Sequence, residues 1–162
     1  QMWQRAWVKA IDQFAPYLSN PSAAFNVVQN HGICLILCGT REWQDYQIST
    51  HATLHLVKAG GIAARVQGLQ RYYALILCDD GKVRLIKQRD GRRVLAESEL
   101  AWSFGDTFQL TLLVQGDRIR GMVDNHAVFD VVDHEHPLTE GGIALLCEEG
   151  NLSVREVVVG PV

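Results

Sequence analysis

The sequence predicts an all-β protein in which two antiparallel sheets pack face to face, and three observations point there. From Phe25 onward, short apolar or alternating runs are punctuated by Gly, Asn and Asp, the pattern of half-buried strands joined by tight turns. Helical periodicity is almost absent over the same stretch. The runs number twelve, too many for one open sheet, so two packed layers are expected.

Residues 1–23 read differently. Trp3, Trp7, Ala10, Ile11 and Phe14 fall at helical spacing, and Pro16 and Pro21 then break the run, which predicts a short helix or packing arm ahead of a sandwich domain over residues 24–162. The expected strands are 25–29, 32–38, 45–57, 61–67, 71–79, 82–88, 93–98, 108–115, 118–123, 127–132, 142–148 and 152–159. Between them, Asp79-Asp80-Gly81, Asp90-Gly91, Gln115-Gly116-Asp117 and Asp124-Asn125 supply residues that tolerate positive φ in tight hairpins, so successive strands should pair antiparallel.

The strand faces carry the functional expectations. Over residues 45–56, Tyr46, Ile48, Ala52, Leu54 and Leu56 alternate with Asp45, Gln47, Ser49, His51, Thr53 and His55, one face for the core and one for water. Arg65 and Gln67 project opposite Ala64 and Val66, and Gln109, Thr111 and Gln115 opposite Leu110, Leu112 and Val114. A face of Arg, Gln, Asp, His and Tyr suits sugars, because amides and guanidinium groups meet hydroxyls and aromatic rings cover C–H faces; a merely solvated outer face has the same composition. The densest constellation runs from Arg65 to Tyr73, with two arginines, two glutamines and two adjacent tyrosines. The parity that buries Leu75 and Leu77 buries Tyr73 and exposes Tyr72, while the apolar Ala74 and Ile76 leave the alternative of a strand covered on both sides. Trp43, at a strand entrance beside Asp45, either stacks on a sugar or caps the core. The candidate ligand-binding residues are therefore Arg65, Gln67, Tyr72, Asp45 and Trp43.

Catalytic patterns fare worse. A sandwich glucanase sets its carboxylates along one strand, and Glu97 with Glu99 is the closest pair here. No Gly-x-Ser-x-Gly elbow occurs. The segment Asp133-His134-Glu135-His136 has two histidines that an extended chain can turn toward a metal, but the following Pro137 and Gly141-Gly142 favour a solvated loop. The cations between Lys82 and Arg93 suit either an anionic ligand or the protection of a sheet edge, the latter being the commoner use.

Composition narrows the classes further. Fifteen Lys and Arg against eighteen Asp and Glu give a net charge of -3, which offers no field for a nucleic acid. No apolar run reaches the ~18 residues of a membrane span, and the first residues lack a signal-peptide layout. The leading Gln is expected of a fragment cut from a longer polypeptide, and processing would leave the same start. Cys34, Cys38, Cys78 and Cys147 sit in or beside apolar runs without zinc spacing, which favours reduced core thiols and a cytoplasmic protein over disulfides and an extracellular one.

The segments Gly39-Thr40-Arg41-Glu42-Trp43-Gln44-Asp45-Tyr46, Gly61-Ile62-Ala63-Ala64-Arg65-Val66-Gln67-Gly68 and Arg71-Tyr72-Tyr73-Ala74-Leu75 resemble the C-terminal β-sandwich appended to some bacterial proteins of the ADP-ribosylglycohydrolase family. Leu95-Ala96, Trp102, Val114-Gln115-Gly116, Asp133 and Gly141-Gly142-Ile143 continue the resemblance, which covers most of the chain from about Trp7 to Pro161. It implies a concanavalin A-like jelly roll with any ligand on the concave sheet, and an accessory role beside an attached catalytic domain. It does not carry the parent family's metal-binding acidic residues, so hydrolysis of ADP-ribose is not implied. Where many such jelly rolls place a calcium-binding Asp on the last strand, this chain reads Val154-Arg155-Glu156-Val157, which argues against the usual calcium site and leaves Glu156 or Asp133 as substitutes. The combined expectation is a non-catalytic carbohydrate-binding module without a cofactor, its partners a glycan or other small polar ligand. The alternatives are an interaction domain that docks on a catalytic partner or self-associates and, third, a glycoside hydrolase.

Overall fold

A computed structural model of the chain describes residues 8–10, 13–16 and 25–162, with side chains from residue 26 onward. Every element in it is a strand: β1 (Val8–Ala10), β2 (Gln13–Pro16), β3 (Phe25–Cys38), β4 (Tyr46–Gly68), β5 (Arg71–Cys78), β6 (Lys82–Arg89), β7 (Arg92–Glu99), β8 (Thr107–Gln115), β9 (Arg118–Val123), β10 (His126–Val132) and β11 (Gly142–Gly160). Among the described residues of the expected helix or packing arm, 8–10 and 13–16 are strands that pair with β3, so inter-strand pairing overrides the local helical spacing there. Trp3, Trp7, Ile11 and Pro21 lie outside the described residues.

Twelve expected runs become fewer strands because three pairs of runs are continuous. Strands β3, β4 and β11 each pass through both layers and bend between them. The registers make the division explicit. Residues 33–38 of β3 pair with 143–148 of β11, and 25–29 pair with 150–154. Residues 59–68 of β4 pair with β5, while 46–53 pair with β8. One layer, sheet I, therefore runs β1, β3, β11, β4, β5, β6, β7, and the other, sheet II, runs β2, β3, β11, β4, β8, β9, β10, using opposite halves of the three long strands. All pairings are antiparallel, and the arrangement is a jelly-roll sandwich. The bend of β11 sits at register shifts between Glu148 and Gly150 against β3 and between Gly150 and Leu152 against β4, where Gly150 has φ +150° and a Cβ would lie 2.1 Å from the Leu56 carbonyl oxygen, so only glycine fits.

The core lies between the sheets. Ile48, Leu54, Leu75, Leu77, Leu85, Leu110, Leu112 and Leu152 are fully buried there, each burial stabilising by roughly 1.5–3 kcal/mol. The alternation expected on β4 holds from Tyr46 to Leu54 and then slips: Leu56 is 73% exposed and Val57 turns inward instead, because the strand bends at this point from one sheet to the other. Opposite the core, sheet I carries a second buried apolar cluster that includes Leu35, Ala63, Tyr72, Ala74, Ile76 and Leu146. The polar face expected on this layer is therefore apolar at its centre.

Candidate functional site

Four of the five residues singled out by sequence converge, but on a structural task. The long connection from β10 to β11, residues 133–141, crosses one end of the sandwich and is held there by buried polar groups. Arg65 interrupts the alternation of β4: it has φ +49° and lies within the register shift between Ala64 and Gly68. This bulge turns its side chain inward, where it is wholly buried. Its Nε donates to the Gln44 carbonyl at 3.1 Å, Nη1 to the Leu138 carbonyl at 2.7 Å and to the Gly116 carbonyl, and Nη2 to Asp45 Oδ1 at 3.1 Å. Burial pushes the Arg65 pKa down, while the charges of Tyr73, Asp45 and Tyr46 oppose that shift.

The surrounding groups complete the clamp. Tyr46 Oη accepts from the Arg65 N–H at 2.6 Å and contacts the Gly141 and Gly142 carbonyls at 2.9 and 2.8 Å; its pKa is pushed up to about 12 by burial. Asp45 Oδ1 also accepts from the Gly116 N–H at 2.9 Å. Gln67 Nε2 donates to the Glu140 carbonyl at 2.9 Å, and the Trp43 carbonyl accepts from the Gly141 N–H. The Trp43 ring meets Tyr46 edge-on at 5.8 Å and packs against the core. The expectation that Arg65 is accessible is thus corrected by the bulge, and Trp43 takes the capping position.

A second buried network holds the beginning of the same connection. Lys87 Nζ, on β6, donates to Asp133 Oδ2 at 2.5 Å and to the Glu135 and His136 carbonyls at 2.5 and 2.9 Å. Tyr73 Oη donates to Asp133 Oδ2 at 2.6 Å and accepts from the Leu138 N–H at 2.9 Å. Asp133 Oδ1 accepts from the Glu135 N–H. Burial raises the Asp133 pKa, but hydrogen bonds from Lys87, Tyr73 and the Glu135 N–H outweigh it and hold the carboxyl below its ordinary range. Both Asp133 oxygens are therefore engaged by protein donors, and Glu156, 67% exposed, faces His51 at 3.4 Å, so neither expected calcium substitute stands in a cage of oxygens. Among the described residues no three His, Cys, Asp or Glu side chains group as metal ligands.

Tyr72 has a different setting. Its neighbour Tyr73 faces the core as expected, yet Tyr72 is also buried, at 2% exposure, because the outer face of sheet I is apolar too. Burial raises its pKa, and the charge of Arg92, which pairs with Glu148 at 3.6 Å, opposes that shift. Tyr72 lines a depression of about 160 Å³ with Ile33, Leu35, Leu69, Gln70 and Gln88. Gln88 Nε2 donates to Gln70 Oε1 at 2.9 Å, which leaves the Gln70 amide N–H groups and the Gln88 carbonyl for a ligand. From the same β4–β5 turn, Val66, Gln67 and Gly68 line a second depression of about 240 Å³ with Leu37 and Arg41 among its walls. The two hollows combine apolar floors with a few amides and a guanidinium. Gln70 belongs to the Arg65–Tyr73 constellation that the sequence displays, whereas Gln88 was not singled out. Only the Tyr72–Gln88 register pair of β5 and β6 brings Gln88 to Gln70 and Tyr72.

No family model matches the chain, and no curated protein does. Solved structures do. A carbohydrate-binding module, CBM66, from Bacillus subtilis is 18% identical with a TM-score of 0.83, covering 95% of this chain and 94% of that one. A putative glycosyl hydrolase from Parabacteroides distasonis is 8% identical with a TM-score of 0.70, over 99% and 95%. The galectin LEC-6 from Caenorhabditis elegans is 14% identical with a TM-score of 0.59, over 96% of each chain. At these identities the likeness is one of fold: this chain has the lectin-like jelly roll.

Proposed function

We propose that this chain is a non-catalytic carbohydrate-binding module that holds a glycan along the two depressions beside the β4–β5 turn. The observation that carries the reading is the meeting of an aromatic floor, Tyr72, with the amides of Gln70 and Gln88 in one hollow, and of Gln67 and Arg41 in the adjoining one. Amides give and accept hydrogen bonds in the pattern hydroxyls require, and apolar walls take the C–H face of a sugar ring. Both hollows are smaller than the ~300–1000 Å³ of typical ligand sites, so a single sugar should bind weakly, in the millimolar range of about -4 kcal/mol. The resemblance in fold to a carbohydrate-binding module supports the reading. An accessory role, bringing an attached catalytic domain to its glycan, goes with it.

A hydrolase is disfavoured by a specific feature. Glu97, in the closest carboxylate pair of the sequence, accepts from Arg84 Nε at 3.0 Å and from Lys82 Nζ at 3.3 Å, and these bonds hold its pKa below the ordinary range. A glycosidase acid requires the opposite shift. Glycan-array screening followed by calorimetric titration tests the proposal, with Gln70→Ala and Gln88→Ala expected to weaken binding at least several-fold. Absence of binding to every glycan, or binding unchanged in both variants, overturns it.

A further inference from the structure

The cations of the β6–β7 hairpin are mostly committed to carboxylates. Lys82 and Arg84 pair with Glu97, Arg84 also with Asp80, Lys87 with Asp133 and Arg92 with Glu148. Arg89 is different: among the described residues it makes no ion pair, and its side chain donates a single bond, from Nη1 to the His136 carbonyl at 2.7 Å. Arg93 reaches only Glu135. These side chains surround a pocket of about 200 Å³ lined by Lys87, Arg89, Gly91, Arg93, Glu135 and His136.

We propose that this pocket is a second binding site, for an oxyanion: the carboxylate of an acidic sugar, a sulfate ester or a phosphate. Lys87 is committed to Asp133, which leaves the two guanidinium groups of Arg89 and Arg93 against the one carboxylate of Glu135. Asp133 is neutralised by Lys87, and Asp90, at the hairpin tip, is turned to Arg71 at 3.1 Å. A guanidinium has five N–H groups in a planar fork that matches two oxygens of an anion, and Arg89 and Arg93 each use one on the protein. The Arg89 head is fixed by its backbone bond, so less freedom is lost when a ligand arrives. Glu135 is the internal competitor, occupying Arg93 in the absence of ligand. The site faces away from Gln88 and Tyr72, since neighbouring residues on β6 point to opposite sides, and it is independent of the glycan reading above.

The test is titration of the full chain, followed by amide NMR shifts at Gly91 and His136, with galacturonate, galactose 6-sulfate, inorganic phosphate and neutral galactose as probes. The acidic probes should shift these amides and galactose should not. Binding should weaken as salt rises from ~50 to ~200 mM. Arg89→Gln and Arg93→Gln, each checked for an unchanged melting temperature, should weaken binding roughly tenfold, and Glu135→Gln should strengthen it. Phosphate binding without galacturonate binding supports the oxyanion site and assigns it to phosphate rather than to an acidic sugar. Equal shifts with galactose, unchanged affinity in both arginine variants, or weaker binding in Glu135→Gln overturn the proposal. Gln70→Ala separates the two sites, because it should reduce neutral glycan binding and leave anion binding intact.

Discussion

Replacing Lys87 with methionine should be among the most damaging single changes near the surface of this protein. The side chains of Lys87 and Asp133 are 5% and 3% exposed, and Lys87 Nζ also satisfies two backbone carbonyls. Methionine keeps the apolar stem but leaves a buried carboxylate without its cation, which costs about 3–5 kcal/mol. For a domain of this size each kcal/mol lowers the melting temperature by about 2–4 °C, so a fall of roughly 6–20 °C at neutral pH is expected by calorimetry. The sign with pH is specific. In the native protein the Asp133 pKa is depressed, so its stabilisation is present above the unfolded value of about 3.9 and is lost as pH falls through the folded one. In Lys87→Met the carboxyl is buried unpaired, its pKa rises, and protonation relieves the penalty, so the gap to the native protein narrows toward pH 4. Adding Asp133→Asn, which removes the stranded charge, should recover part of the loss. A cost under about 1 kcal/mol, or single effects that simply add in the double variant, would refute the assignment of this pair as a coupled buried staple.

Three further outcomes follow from the same geometry. Arg65→Lys should cost about 2–4 kcal/mol in urea unfolding, because an ammonium group cannot reach the four acceptors that the guanidinium bridges; glycan affinity at Gln70 and Gln88 should be unaffected, whereas a stable variant with lost binding would restore Arg65 as a ligand contact. Gly150→Ala should cost about 3 kcal/mol, since its Cβ collides with the Leu56 carbonyl in a conformation disfavoured for L-residues. The cysteines are not disulfide-bonded and three are buried. With the Cys38, Cys78 and Cys147 thiols pushed above their ordinary pKa, a thiol reagent near pH 8 should label the native protein slowly and all four sites at once on unfolding; rapid native labelling of Cys147 would contradict its burial.

The layered all-β architecture was legible because turns and alternation are local signals. Asp79–Gly81 and Gln115–Asp117 mark hairpins by residue type alone, and β5 to β9 begin and end within a few residues of the expected places. The continuity of β3, β4 and β11 was not legible, because a strand that bends from one sheet into another contains the same glycines and polar residues that end a strand. Gly150 reads as a terminus and acts as a hinge point in the register. The setting of Arg65 was hidden for a related reason. Alternation assigns Arg65 to the outer face, and a bulge centred on a non-glycine residue with positive φ leaves no mark in the sequence. Once the bulge is present, the physics is one-sided: a fully buried guanidinium must be matched by acceptors, so Asp45, Gln44 and the 133–141 connection organise around it, and the polar residues that looked like a sugar-binding face become the clamp that closes the sandwich. The candidate ligand groups are then those left over. Tyr72 and Gln70 lie two residues apart in the constellation the sequence displays, but no spacing links Gln88 to them, and it joins them only because β5 and β6 pair in register at Tyr72 and Gln88.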